Sequence, residues 1–209
     1  MKNDSVIASL DKIGLSEALE LYDKKNTLTK EGNLEGLLEL KKKQSAIFIE
    51  ENKKRDPKAK KLYLMFDQMY WVLTFGKTEH YNPVLLRPEM KKYTIFIDGI
   101  SKAFSATGVR VGWALGPANV IAKMKALLSH IGAWAPMAEQ KAVAQYLTEK
   151  ENIDQYLQYF KSEIEERLVS LYNGFIALKE KGLAVDAITP QAAIYLTIRF
   201  DLVGKSANE

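Results

Sequence analysis

Apolar residues in the first quarter of the chain recur among lysine and glutamate at roughly helical spacing. This pattern predicts helical structure over residues 5–54, with a break at residues 26–32 before a new helix. Asp56 and Pro57 are expected to end that helix, because the residue before proline disfavours helical backbone. The apolar positions of the second helix are Leu34, Leu37, Leu38, Ile47 and Ile49.

Two short apolar runs, residues 62–66 and 93–97, each end in an aspartate, Asp67 and Asp98. Continuous runs of this length are typical of strands buried on both faces of a parallel sheet. Residues 111–115 form a third candidate strand. Ligands of open α/β sheets bind beyond the carboxyl ends of the strands, so the two aspartates lie where a site is expected.

The second half of the chain is mainly helical by pattern. Residues 120–128 and 139–147 predict two helices, and residues 153–181 predict a long amphipathic one. Residues 185–200 alternate like β structure, and a polar end follows at residues 204–209. The chain is therefore predicted to be α/β, with a mostly parallel sheet and helices.

Composition excludes several kinds of site. The 209 residues include no cysteine, so disulfides and thiolate metal sites are excluded, and two distant histidines, His80 and His130, predict no metal site. The net charge of +4 is spread among acids, and the basic run at residues 53–61 fits a solvated turn better than a nucleic-acid surface. No signal-peptide core or membrane span is found, so we expect a cytoplasmic protein without membrane or nucleic-acid partners.

Five polar residues follow the predicted strands in an order that suits pyridoxal phosphate. Lys102, preceded by Ser101, can supply an amine, and Arg110, eight residues later, can hold a phosphate. Asp67 can face a pyridine nitrogen, and Tyr70 can hold a phenolic oxygen. Taken singly, each residue fits an ordinary surface, capping or core role better. Their joint order and spacing favour a cofactor site.

Residues 98–113 resemble the lysine signature of the class I/II, fold-type-I, pyridoxal-phosphate-dependent aminotransferases. That signature is a Ser-Lys pair, an aromatic residue two positions later, and Gly-x-Arg-x-Gly with its arginine eight residues after the lysine. Residues 67–70 resemble the Asp-x-x-Tyr of the same family, and residues 189–195 resemble its passage into the small domain. The motif residues are Ser101, Lys102, Phe104, Gly108, Arg110, Gly112, Asp67 and Tyr70.

The resemblance implies pyridoxal 5'-phosphate as cofactor and a role for each matched residue. Lys102 would be the catalytic Schiff-base lysine and proton shuttle. Asp67 would pair with the pyridinium, Tyr70 would hold the phenolic oxygen, and Arg110 would bind the phosphate near Ser101. The reaction implied is amino-group transfer between an amino acid and a 2-oxo acid, in a family that forms homodimers.

The resemblance also implies a partial fold. Residues 1–150 would form part of the cofactor-binding large domain, and residues 151–209 the long helix and part of the small domain. We find neither the family's phosphate-binding loop before Asp67 nor its small-domain arginine for the substrate carboxylate. Gly99 also stands where many relatives carry a phosphate-binding serine.

These departures leave three hypotheses for function. The chain is an aminotransferase or a fragment of one, or it is a truncated, catalytically inactive chain that needs a complementary partner. The third hypothesis, an unrelated α/β binding module, requires the joint motif to be a coincidence.

Overall fold

The computed structural model describes residues 24, 25, 28 and 33–201. The predicted helix before residue 33, the break at residues 26–32 and the polar end at residues 204–209 lie outside the described residues, except for residues 24, 25 and 28. The described residues form two compact units. The first comprises the described residues up to Asp67, Tyr81–Asp98 and Trp113–Ala133, and the second comprises Gln68–His80, Gly99–Gly112 and the residues from Trp134 onward.

From residue 33 onward, the first element of this unit is helix α1, Leu34–Lys54. Asn33 caps it, since its side-chain oxygen accepts the backbone N–H of Gly36 at 2.8 Å. Near the other end, fully buried Asn52 accepts the backbone N–H of Leu62 at 2.8 Å and donates to the carbonyl of Leu62 at 3.2 Å. These two bonds attach the helix to the chain just before the first strand.

Strands β1 (Leu64–Asp67) and β2 (Thr94–Gly99) are parallel neighbours, with Leu64 opposite Thr94. Strand β3 (Gly112–Leu115) pairs with β2 on its other side, so the order is β1-β2-β3. All three lie within two residues of their predicted bounds. The parallel pair is the arrangement that the two apolar runs predict.

Strand β3 runs antiparallel to β2. A Cβ atom built on Gly116 would lie 3.1 Å from the carbonyl oxygen of Thr94, and one built on Gly99 would lie 2.9 Å from the Cα of Gly112. The end of β3 therefore lies beside the start of β2. The sheet is mixed, with one parallel and one antiparallel pair.

The expectation that residues 62–66 are buried on both faces is wrong. Exposure alternates along β1, and Met65 is 71% exposed. Strand β1 is at the edge of the described sheet, and within the described residues no element covers the face that carries Met65. Strand β2, in the centre, is buried or half-buried throughout, as predicted.

Three helices flank the strands along the chain. Helix α2 (Pro83–Leu86) and a 3-10 turn (Pro88–Lys92) lead into β2, and the short helix α3 (Ile100–Ala103) leaves it. Helix α4 (Ala118–Ile131) follows β3 and contains the predicted helix 120–128.

The second unit contains two further helices, α5 (Met137–Tyr146) and α6 (Lys150–Glu180). Both were predicted from their apolar spacing to within three residues at each end. The tail forms an antiparallel pair of strands, β4 (Val185–Ala187) and β5 (Ile198–Phe200), and β4 packs against α6. No helix in residues 33–201 is both long and apolar enough to cross a membrane.

A short bridge joins two distant segments of the second unit. Thr74 pairs with Ala192, and the backbone of Leu73 accepts the N–H of Ala193 at 2.8 Å. Leu73 is fully buried and Phe75 is 4% exposed. The bridge therefore fixes the chain after Tyr70 against the chain before the last strand.

Candidate active site

Lys102 lies on α3, which begins directly after β2. Its neighbours Ile100 and Ala103 are buried, whereas Ser101 and Lys102 are half-buried. The backbone N–H of Ile100 donates to the carbonyl of Val111 at 3.3 Å. The lysine is thus carried on a segment that its buried neighbours hold in place.

Gly99 lies where two backbone segments approach closely. A Cβ atom at this position would be 2.9 Å from both the carbonyl oxygen of Val111 and the Cα of Gly112, and 3.4 Å from the Cε of Met69. Backbone atoms cannot move aside as the end of a flexible side chain does. A serine here would require the two segments to separate.

Arg110 follows the 3-10 turn Thr107–Val109, against which α3 packs. It adopts a left-handed backbone with φ of 59°, and one of its Nη atoms donates to the carbonyl of Thr107 at 2.8 Å. The guanidinium has further N–H donors. Within residues 33–201, neither Arg110 nor Lys102 forms an ion pair with a carboxylate.

Tyr70 is hydrogen-bonded through its hydroxyl to the hydroxyl of Tyr195. Their rings meet edge to face, with centroids 5.5 Å apart. Sequence reasoning placed Tyr195 in a segment that resembles the family but gave it no site role. Only the general preference of aromatic rings for contact with other rings could have suggested this pair.

An aromatic cluster supports the segment that carries Lys102. The ring of Phe104 stacks on Tyr156 of α6 at 6.2 Å, and Tyr156 stacks on Phe160 at 5.4 Å. Phe104 also meets Tyr146 of α5 edge to face at 5.7 Å. Burial raises the pKa of the Tyr146 phenol, and the nearby Tyr156 adds to the shift. The cluster joins α3 to both helices of the second unit.

The five predicted site residues do not all belong to one unit. Tyr70, Ser101, Lys102 and Arg110 lie in the second unit, where α3 and the turn before Arg110 are in contact. Asp67 ends the first of the three segments that make up the first unit and is exposed at the end of β1.

Known proteins that this chain is similar to are aminotransferases. It matches the family model for aminotransferase class I and II over residues 56–208. The aspartate aminotransferase of Geobacillus stearothermophilus is 34% identical over 134 residues, which make up 64% of this chain and 32% of that protein. The kynurenine–oxoglutarate transaminase of Dictyostelium discoideum is 32% identical over 130 residues, 62% of this chain and 28% of that protein. The chain therefore spans about a third of the length of these curated relatives.

Solved structures show the same relationship at the level of the fold. A tetra mutant of Thermus thermophilus aspartate aminotransferase gives a TM-score of 0.64 at 25% identity, covering 77% of this chain and 39% of that one. The aromatic aminotransferase from Pyrococcus horikoshii OT3 gives 0.63 at 22% identity, covering 76% and 38%. These likenesses confirm the predicted resemblance and the predicted fold class, a partial α/β fold of the aminotransferase kind.

Proposed function

We propose a function from one premise: this chain belongs to the class I and II aminotransferase family. We infer that it binds pyridoxal phosphate and takes part in amino-group transfer between an amino acid and a 2-oxo acid. The observation that carries the proposal is the presence of Lys102 and Arg110 on two packed turns, both without a carboxylate partner in the described part of the chain. An amine and a guanidinium on packed segments suit a ligand that has both an aldehyde and a phosphate.

The residues present fit this cofactor in their chemistry. Around the turn before Arg110 there is open space, since a Cβ atom built on Gly108 would have no heavy atom within 4 Å. Tyr70 carries a phenolic hydroxyl, which can donate as well as accept a hydrogen bond and is bonded to that of Tyr195. Lys102 is only half-buried, so its side chain is not enclosed by the described residues.

Each residue would have a separate task. Lys102 would bond to the cofactor aldehyde and later move a proton at the substrate α-carbon. Arg110 and the hydroxyl of Ser101 would hold the phosphate, Tyr70 would donate to the phenolic oxygen, and Asp67 would face the pyridine nitrogen. When bound, pyridoxal phosphate supplies a ring that accepts the electron pair released at that carbon.

A second candidate function follows from the open face of β1. At the edge of the described sheet, this strand exposes apolar surface, since Met65 is 71% exposed. In this alternative the chain is inactive alone and needs a complementary polypeptide to complete the sheet. The substrates, the homodimer expected from the family, the division near residue 150 and the cytoplasmic location stay predictions.

The proposal is tested by adding pyridoxal phosphate to the purified chain and recording the visible spectrum. Borohydride reduction followed by peptide mass mapping then identifies the modified lysine. We expect an absorption band and modification at Lys102, both lost in Lys102→Ala and retained in the surface control Lys91→Ala. A band of equal size in Lys102→Ala would contradict the cofactor proposal.

Single-turnover reaction with an amino acid separates the two candidates. If the loaded chain releases a 2-oxo acid, the chain is an aminotransferase by itself. If the cofactor binds at Lys102 and no 2-oxo acid forms, the alternative that requires a complementary polypeptide is favoured.

A further inference from the structure

A cavity of about 370 Å³ lies in the first unit, between one face of α1, strand β1 and the segment around α2. Phe48 of α1, Phe66 of β1 and Met90 are among the residues that line it. This volume is within the range of small-molecule sites, roughly 300–1,000 Å³. The lining is mostly apolar, so the cavity suits a ligand with an apolar body.

Lys41 introduces a positive charge into this apolar lining. No acidic residue is among the described residues that line the cavity, and no carboxylate in residues 33–201 forms an ion pair with Lys41. Lys41 is an exposed residue, but partial burial lowers the pKa of its ammonium, and the positive charge of Lys25 lowers it further. A bound anion would offset both effects, because it neutralises the desolvated charge.

The other polar residues of the lining are Gln44, Ser45, Tyr81 and Asn82, and each is less available to a ligand. Gln44 and Tyr81 already take part in other interactions. Ser45 is only 9% exposed. The side-chain oxygen of Asn82 already accepts the backbone N–H groups of Val84 and Leu85, both at 3.0 Å. Lys41 is therefore the polar group with most capacity to fix a ligand in this cavity.

We propose that this cavity binds a small aromatic carboxylate, with the carboxylate at Lys41 and the ring between Phe48 and Phe66. Aromatic side chains in the lining favour an aromatic ring through edge-to-face or offset contacts. Every described residue of the lining belongs to the first unit, and none of them is a proposed cofactor residue. This site is therefore independent of the proposed function.

Methyl NMR gives a direct test. The chain has six methionines, so labelling their methyl groups with ¹³C gives a sparse spectrum in which Met90→Leu identifies the Met90 signal. Titration of the full chain with 3-phenylpropanoate is expected to shift this signal saturably. The neutral analogue 3-phenylpropan-1-ol is expected to bind about ten-fold more weakly, because it lacks the charge that pairs with Lys41.

Two adjacent lysines provide matched variants. Lys41→Met is expected to weaken binding of the acid about ten-fold. Lys42→Met is expected to leave binding unchanged, since Lys42 is paired with Glu39 at 2.7 Å and does not line the cavity. Circular dichroism checks that both variants fold, and the comparison of acid with alcohol needs no variant. An unmoved Met90 signal, equal binding of acid and alcohol, or equal loss in the two variants would overturn the proposal.

Discussion

Gly99 is a single position where the local packing leaves no room for a side chain. Its backbone is extended, with φ of 174°, so any residue could adopt the conformation. The obstacle is steric, because a Cβ atom would lie 2.9 Å from the carbonyl oxygen of Val111. We expect Gly99→Ser to lower the free energy of unfolding by about 1–3 kcal/mol, as measured by urea unfolding.

Gly108 is the matched control for this substitution. A Cβ atom there meets no heavy atom within 4 Å, so Gly108→Ser is expected to change the unfolding free energy by less than about 0.5 kcal/mol. Equal losses in the two variants would show that the close approach at Gly99 is not what excludes a side chain.

The site residues differ in how far the sequence could predict them. Lys102 and Arg110 are recognisable because one local segment, residues 101–112, contains the whole lysine signature. The contact between Tyr70 and Tyr195 joins residues 125 positions apart, and neither residue has a local feature that names its partner. The fit of Gly99 against Val111 also depends on the pairing of β2 with β3, which the sequence does not specify.

The attachment of α3 to α6 depends on an aromatic stack at the scale of whole elements. Tyr156 lies between Phe104 and Phe160, with centroid distances of 6.2 and 5.4 Å. We expect Tyr156→Ala to lower the free energy of unfolding by about 1–3 kcal/mol, because both ring contacts and their buried area are lost.

Tyr159 on the same helix is the control, since it is 65% exposed and has no ring contact within the described residues. Tyr159→Ala is expected to change the unfolding free energy by less than about 0.5 kcal/mol. A loss in Tyr156→Ala no greater than this would mean that the stack does not stabilise the second unit.

The bounds of helices and strands were predictable from the sequence where the residues of the element itself determine them. Helices α5 and α6 follow from apolar spacing, and their bounds agree with the prediction to within three residues. The exposure of Met65 was not predictable, because burial of a strand depends on which elements cover its faces. The apolar run predicts that β1 is a strand, but it does not predict which elements pack against it.

At the scale of the whole molecule, pyridoxal phosphate binding must be distinguished from reaction with surface amines. The chain has 30 lysine and arginine residues, and many exposed lysines can react with an aldehyde. Such reactions occur in the folded and the unfolded chain alike, so they give little stabilisation. Binding that needs the folded site stabilises the folded chain and so raises the midpoint temperature of thermal unfolding. The gain in the free energy of unfolding is about 2.7 kcal/mol when the ligand is at a hundred times its dissociation constant.

Three ligands then separate the roles of Lys102 and Arg110. We expect pyridoxal phosphate to raise the midpoint more than pyridoxamine phosphate, which lacks the aldehyde, or pyridoxal, which lacks the phosphate. Lys102→Ala should remove the difference between pyridoxal phosphate and pyridoxamine phosphate, because it deletes the partner of the aldehyde. Arg110→Met should remove the difference between pyridoxal phosphate and pyridoxal, because it deletes the partner of the phosphate. Arg199→Met, an exposed arginine on β5, should remove neither. A pattern in which Arg110→Met and Arg199→Met behave alike would show that Arg110 does not hold the phosphate.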